Sequence, residues 1–161
     1  RILARTLGER AEPGLVIGLQ GRLGAGKTVF ARGLAEGLGI ADPRVVASPT
    51  FMLIHEYEAR LPIYHFDSYR LADENAFLEL GINEYFEGEG VSIVEWSDRV
   101  ESTLPRERID VRITDDAGTS RRIEAELQGD SWSALFSAWA TSMSELWKSR
   151  GLADRLRLVE E

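Results

Sequence analysis

The 161-residue chain contains no cysteine, which excludes disulfides and thiolate-held metals and is compatible with a reducing compartment. It has only two lysines, Lys27 and Lys148, among its nineteen basic residues; the rest are arginine. No apolar run approaches the ~18 residues of a membrane-spanning helix. There is no secretory pattern at the N-terminus, and the chain opens at Arg1 without a methionine, so further residues are expected to precede it. Internal repeats, low-complexity runs and Pro/Ser-rich linkers are also missing, and the length suits one domain over 1–161.

A basic face is lacking too. The net charge is −8 and the pI about 4.9. The one tight cationic pair, Arg121–Arg122, lies close to Asp115 and Asp116. A protein that gripped nucleic acid unaided would present cations to the phosphates. Strong direct nucleic-acid binding is therefore not expected, and a protein partner with a complementary surface suits the charge better. The two histidines, His55 and His65, lack the clustered spacing of a metal site and read as packed or surface side chains.

What is present begins with the apolar, β-branched run "LVIGL" (15–19), a buried parallel strand by pattern. After it, Phe30, Leu34 and Leu38 recur four apart, predicting an amphipathic helix from Lys27 to about Leu38. Residues 2–10 read as helical, and 51–67 as two antiparallel strands joined tightly near 59–62. A short helix over 73–80 is expected to end at Gly81. "VSIVEW" (91–96) reads as another buried strand, and 108–114 with 120–127 as a hairpin across "DDAG". The last segment, 130–150, predicts a helix capped by Asp130 and stopped by Gly151, with Trp132, Leu135, Phe136, Trp139, Met143, Leu146 and Trp147 on one stripe. That stripe either covers a sheet face or docks a partner.

Between the first strand and the helix, Gly21-Arg-Leu-Gly-Ala-Gly-Lys27-Thr28 matches the phosphate-loop pattern G-x-x-x-x-G-K-[ST]. At this chain's composition about 0.002 such matches arise by chance. The glycines let backbone N–H groups of Gly21, Leu23, Gly24, Ala25, Gly26 and Val29 approach phosphate oxygens, and the helix dipole favours the anion. Lys27 supplies a compact charge that arginine's broad fork does not replace, which explains a lysine in an arginine-writing chain. Thr28 offers a hydroxyl to Mg²⁺. Such a loop also needs a carboxylate at a neighbouring strand's end. Glu95 and Asp67 both have that setting. Thr50 of "ASPTF" could approach the γ-phosphate side as switch threonines do, and Arg70 reads equally as a phosphate contact or a surface ion pair. No Asn-Lys-x-Asp, Leu-Ser-Gly-Gly or Arg-rich lid sequence occurs, against a conventional GTPase, a transporter-type ATPase and many small-molecule kinases.

Together, "GRLGAGKTVFARGLAEGLGI", "VASPTFMLIHEY", "YHFDSYRL", "ELGINEYF" and "VSIVEWSDRV" resemble the TsaE (YjeE) family, in order and spacing, over about 14–100. The resemblance implies an α/β, three-layer fold like that of P-loop NTPases, with a mixed, mainly parallel sheet, a core over 14–127 and a C-terminal helix. It implies ATP and Mg²⁺ as cofactors, with Lys27 on the phosphates and Thr28 and Glu95 on the metal. Thr50 and Asp67 would belong to the sensing or catalytic shell, Asp67 either orienting water or supporting the metal, and Trp96 would lie beside the site. The implied activity is slow ATP hydrolysis in the cytoplasm, driving or resetting the TsaD–TsaB complex that transfers threonylcarbamoyl to tRNA adenosine. A small-molecule kinase and a nucleotide-gated binding module are the rivals. Two residues depart from the family's usual pattern: Arg22 stands where Asp is common, and Val29 where a second Thr is common, which predicts weaker nucleotide binding.

Overall fold

The computed structural model describes residues 1–116, 120–149 and 157–159. Among them a seven-stranded sheet runs in the order β2-β3-β4-β1-β5-β6-β7. Its strands are β1 (Val16–Gln20), β2 (Ile54–Tyr57), β3 (Ile63–Asp67), β4 (Val91–Glu95), β5 (Arg108–Asp115), β6 (Arg121–Gln128) and β7 (Arg157–Val159). The centre, β3-β4-β1-β5, is parallel, while β2 and β6 join antiparallel to β3 and β5. The parallel β6–β7 pairing adds an edge strand that no sequence pattern announced.

The burial of the central strands explains their composition. β4 is buried at every position and β1 at all but its last, so both faces of these strands are covered. Parallel strands covered on both faces read as continuous apolar runs for this reason. One face packs α1 (Ile2–Gly8), α2 (Lys27–Gly37) and α5 (Ser133–Ser149) against Ile17, Leu19, Ile93 and Ile109. The other packs α3 (Glu74–Leu78) and α4 (Ile82–Phe86) against Val16, Phe66 and Val94. The result is the expected three-layer, mixed and mainly parallel arrangement.

The stripe on α5 covers the sheet. Phe136, Trp139 and Met143 are fully buried in the core of α1 and α2, and Trp139 Nε1 donates to Leu3 O at 3.0 Å. A core tryptophan of this kind contributes about 3–5 kcal/mol relative to alanine. The helix begins later than expected. Its first bond runs from Phe136 N to Trp132 O, so Trp132 holds the cap position assigned to Asp130. The Asp130 and Ser131 amides instead donate to Glu107 Oε2 at 2.9 and 2.8 Å. Trp147's side chain, the stop at Gly151 and turn residues 117–119 lie outside the described residues. The helix expected over 73–80 is the shorter α3, capped by Asp73 accepting from Ala76 N; Gly81, at φ 72°, then redirects the chain into α4, which was not expected. Among the described residues no helix is long and apolar enough to cross a membrane.

Candidate functional site

The carboxyl ends of β1, β3 and β4 converge on one edge of the sheet, where ligands of open α/β sheets usually bind. Asp67 and Glu95 are register partners there, and Glu95 also stands level with Leu19 of β1. The loop Gly21–Gly26 leaves β1 at this edge and opens α2. Gly24 and Gly26 have φ of 78° and 113°, and a Cβ added to either would meet nothing within 4 Å. Their glycine identity is therefore set by backbone conformation, not by neighbouring protein atoms, and the space in front of them is open. That is the fit a phosphate group requires.

Lys27 is buried at the first turn of α2. Its Nζ donates to Gly21 O at 2.6 Å and Arg22 O at 3.1 Å, and lies 3.4 Å from the centroid of the Trp96 ring. Burial lowers its pKa, opposed by the charges of Glu95, Asp67 and Asp98. An ammonium in this setting has a strong preference for an anionic neighbour. Trp96 adopts a left-handed conformation (φ 61°, ψ 39°), unusual for a bulky residue. Ser68, fully buried, braces it, with its hydroxyl 3.0 Å from Glu95 O and 2.8 Å from Trp96 O. Tyr69 stacks on Trp96 with ring centroids 4.7 Å apart.

The two acids have different partners. Glu95 Oε1 accepts from Thr28 Oγ1 at 2.8 Å and lies 2.9 Å from His65 Nε2. Asp67 Oδ2 accepts from Ser48 Oγ and, at 3.1 Å, from Thr50 Oγ1, while Oδ1 accepts from Tyr69 N at 2.9 Å. Asp67 is thus bonded to the loop 47–51, and Glu95 to the phosphate loop. Among the described residues no group of three or more His, Asp or Glu side chains could hold a metal by itself. Thr28 and Glu95 could supply two ligands and leave the others to phosphate and water, the usual manner for Mg²⁺.

Leu23, Gly24, Gly26, Lys27, Thr28 and Val29 on one side face Ser48, Thr50, Asp67, Glu95 and Trp96 on the other, across a cleft of about 470 Å³. Ala25 is buried behind the loop, its amide donating to Arg22 O at 3.1 Å. Arg70 borders the cleft and stacks on the Phe51 ring at 4.4 Å. Arg22 turns away, ion-paired to Asp115, which Arg121 also contacts at 3.1 Å. A second cleft of about 550 Å³ beside β2 is lined by Glu56, Glu58 and tyrosines, a poor setting for phosphate. Chemistry, not size, selects the first.

A family model described as threonylcarbamoyl adenosine biosynthesis protein TsaE matches residues 1–123. The chain belongs to the TsaE family. The TsaE of Bacillus subtilis is 44% identical over 136 residues, covering 84% of each chain. That of Treponema pallidum is 44% identical over 117 residues, covering 73% of this chain and 85% of its own. A crystal structure of Bacillus subtilis YdiB superposes with a TM-score of 0.74 at 38% identity, covering 88% of this chain and 86% of that one. The TsaE family is one of tRNA threonylcarbamoyladenosine biosynthesis.

Sequence reasoning missed three polar residues of this site. Ser48 and Ser68 gave no signal, because a serine beside a motif is common in turns. His65 reads from sequence as a packed or surface side chain; it is fully buried, and its partner is Glu95. The period-two alternation of "IYHFD" against "VSIVE" held the clue, since it sets His65, Asp67 and Glu95 on one face.

Proposed function

We propose that this chain binds ATP with Mg²⁺ in the phosphate-loop cleft and hydrolyses it slowly as part of tRNA threonylcarbamoyladenosine biosynthesis. The carrying observation is the 2.8 Å bond between Thr28 Oγ1 and Glu95 Oε1, which joins the loop's hydroxyl to a strand-end carboxylate at the mouth of the cleft. When bound, Mg²⁺ neutralises charge developing on the transferred phosphoryl group. The amides of Leu23, Gly24 and Gly26 to Val29 bind phosphate oxygens, while that of Ala25 is held within the loop by Arg22 O, and Lys27 stabilises the β- and γ-phosphates. Thr28 and Glu95 hold the metal side. Asp67 acts by keeping Ser48 and Thr50 against the cleft, so that Thr50 orients the γ-phosphate side. Trp96, whose ring lies over Lys27 Nζ, shields the ammonium from water, which strengthens its electrostatic effect.

The chain works in the cytoplasm as one domain, with TsaD and TsaB as partners, and its turnover drives or resets their cycle. Its acidity agrees with a role that leaves tRNA contact to those partners. The test is ATP hydrolysis by the purified chain, alone and with TsaD–TsaB, against Lys27→Ala and Glu95→Ala. The expected outcome is a low basal rate that changes with the partners, vanishes in Lys27→Ala and falls about 100-fold in Glu95→Ala. A rate indifferent to the partners overturns the assignment in favour of a kinase, to be pursued with small-molecule acceptors.

A further inference from the structure

We propose that His65 is a positioning residue that fixes the orientation of the Glu95 carboxylate toward Mg²⁺. The proposal rests on the reading of Glu95 as a metal ligand given above. His65 lies on β3, opposite His55 of β2 and Ile93 of β4, with its side chain on the same face as Asp67 and Glu95. Its Nε2 is 2.9 Å from Glu95 Oε1, and the two side chains are 0% and 3% exposed.

The chemistry of this contact assigns its direction. A carboxylate only accepts hydrogen bonds, so Nε2 carries the proton and donates. The ring's other nitrogen, Nδ1, is buried and has no hydrogen-bond partner. Buried polar atoms are normally paired, and a histidine selected for packing alone would be replaced at no loss by an apolar side chain. This ring leaves one nitrogen unsatisfied while the other is committed to Glu95.

Both donors to Glu95, Thr28 Oγ1 and His65 Nε2, reach the same oxygen. Two donors from different elements, α2 and β3, fix Oε1 from two directions. Neither uses Oε2, whose direction is then set by the carboxylate plane. Partners that orient a metal ligand commonly change metal affinity about 10–100-fold when removed. His65 and Glu95 are thirty residues apart in the chain and meet through the β3–β4 pairing.

The experiment is isothermal titration calorimetry of the whole chain with ATP, in Mg²⁺ and in EDTA, for wild type, His65→Leu and His65→Gln. The expected result is that His65→Leu weakens binding about tenfold in Mg²⁺ and leaves binding in EDTA unchanged. His65→Gln, which retains an N–H donor near the Nε2 position, recovers most of the loss. The EDTA arm also reports whether each variant is folded. Equal weakening in both arms overturns the proposal by making His65 a merely structural residue, as does an unchanged Mg²⁺ arm. If wild type itself gains nothing from Mg²⁺, the reading of Glu95 fails first, and the proposal with it.

Discussion

Asp67 and Glu95 stand opposite each other across the parallel β3–β4 pair, yet Glu95 bonds to Thr28 of the phosphate-loop helix and Asp67 to Ser48 and Thr50 of the facing loop. One level of the sheet thereby anchors both walls of the cleft.

Under the proposed metal role, the Glu95 wall should act as a unit. Thr28→Ala and Glu95→Ala should each lower ATP turnover about 100-fold, the scale of losing one preorganised electrostatic contact. The double variant should be hardly worse than either alone, because residues serving one metal are strongly non-additive. Steady-state rates of the four proteins close the cycle. Independent, multiplying losses would count against a shared metal.

The Asp67 wall should control loop order. Removing the carboxylate in Asp67→Ala strands two part-buried hydroxyls and the part-buried Tyr69 amide, at a cost of about 1 kcal/mol. Two backbone bonds, Leu53 N to Pro49 O at 2.7 Å and Asp67 N to Leu53 O at 3.1 Å, tie the same loop to β3. Amide exchange over 47–53 should therefore quicken in Asp67→Ala and, more weakly, in Ser48→Ala, while α1 and α5 keep wild-type protection. Uniform protection across the loop in Asp67→Ala would show that the backbone bonds alone hold it.

On the other side of β5, Asp110 gives a pH signature. It is buried beside Arg108, whose Nη2 is 3.0 Å from Asp110 Oδ2. Burial raises its pKa above 3.8, and the Arg108 contact only partly opposes this. The folded protein then binds a proton more readily than the unfolded chain does. Stability from this group is fully present below pH 3.8 and is lost as pH rises through the raised folded value. The stability of wild type relative to Asp110→Asn should accordingly fall on going upward through that window and level off above it. Urea unfolding at a series of pH values measures this; a difference that grows with pH would mean the Arg108 contact outweighs burial.

The parts of this molecule that were legible from sequence are those with a strong local code. The phosphate loop carries its own conformational demand at Gly24 and Gly26, and β1 and β4 announce burial by mainly apolar, β-branched runs. The strand-end acids followed from the same logic. What was illegible depends on tertiary partners. Glu107 supplies the bonds that move the start of α5 away from Asp130, and nothing near 130 predicts a carboxylate 23 residues earlier. The role of Ser68 requires the Glu95–Trp96 turn to be brought beside it, and β7 exists only by pairing with β6. The α3–α4 break was readable in hindsight from Gly81, but a glycine ends or redirects a helix with equal ease.

Val29 and Arg22 are where this chain departs from the common pattern, and the structure separates them. Arg22 is engaged with Asp115 at the end of the hairpin, away from the cleft lining. Val29 lines the cleft from the first turn of α2 and is half exposed. Val29→Thr keeps the side-chain shape and adds one hydroxyl where α-phosphate contact is expected. Because the side chain is not part of the core, the substitution should leave unfolding stability within about 0.5 kcal/mol of wild type. A single hydrogen bond to a charged group is worth about 1.5–3 kcal/mol at best, and less at an exposed site, so ATP binding should tighten about three- to tenfold. Calorimetric titration with ATP and Mg²⁺ decides it: an unchanged dissociation constant would show that the backbone amide of residue 29 already supplies the whole contact, and that the valine costs this chain nothing.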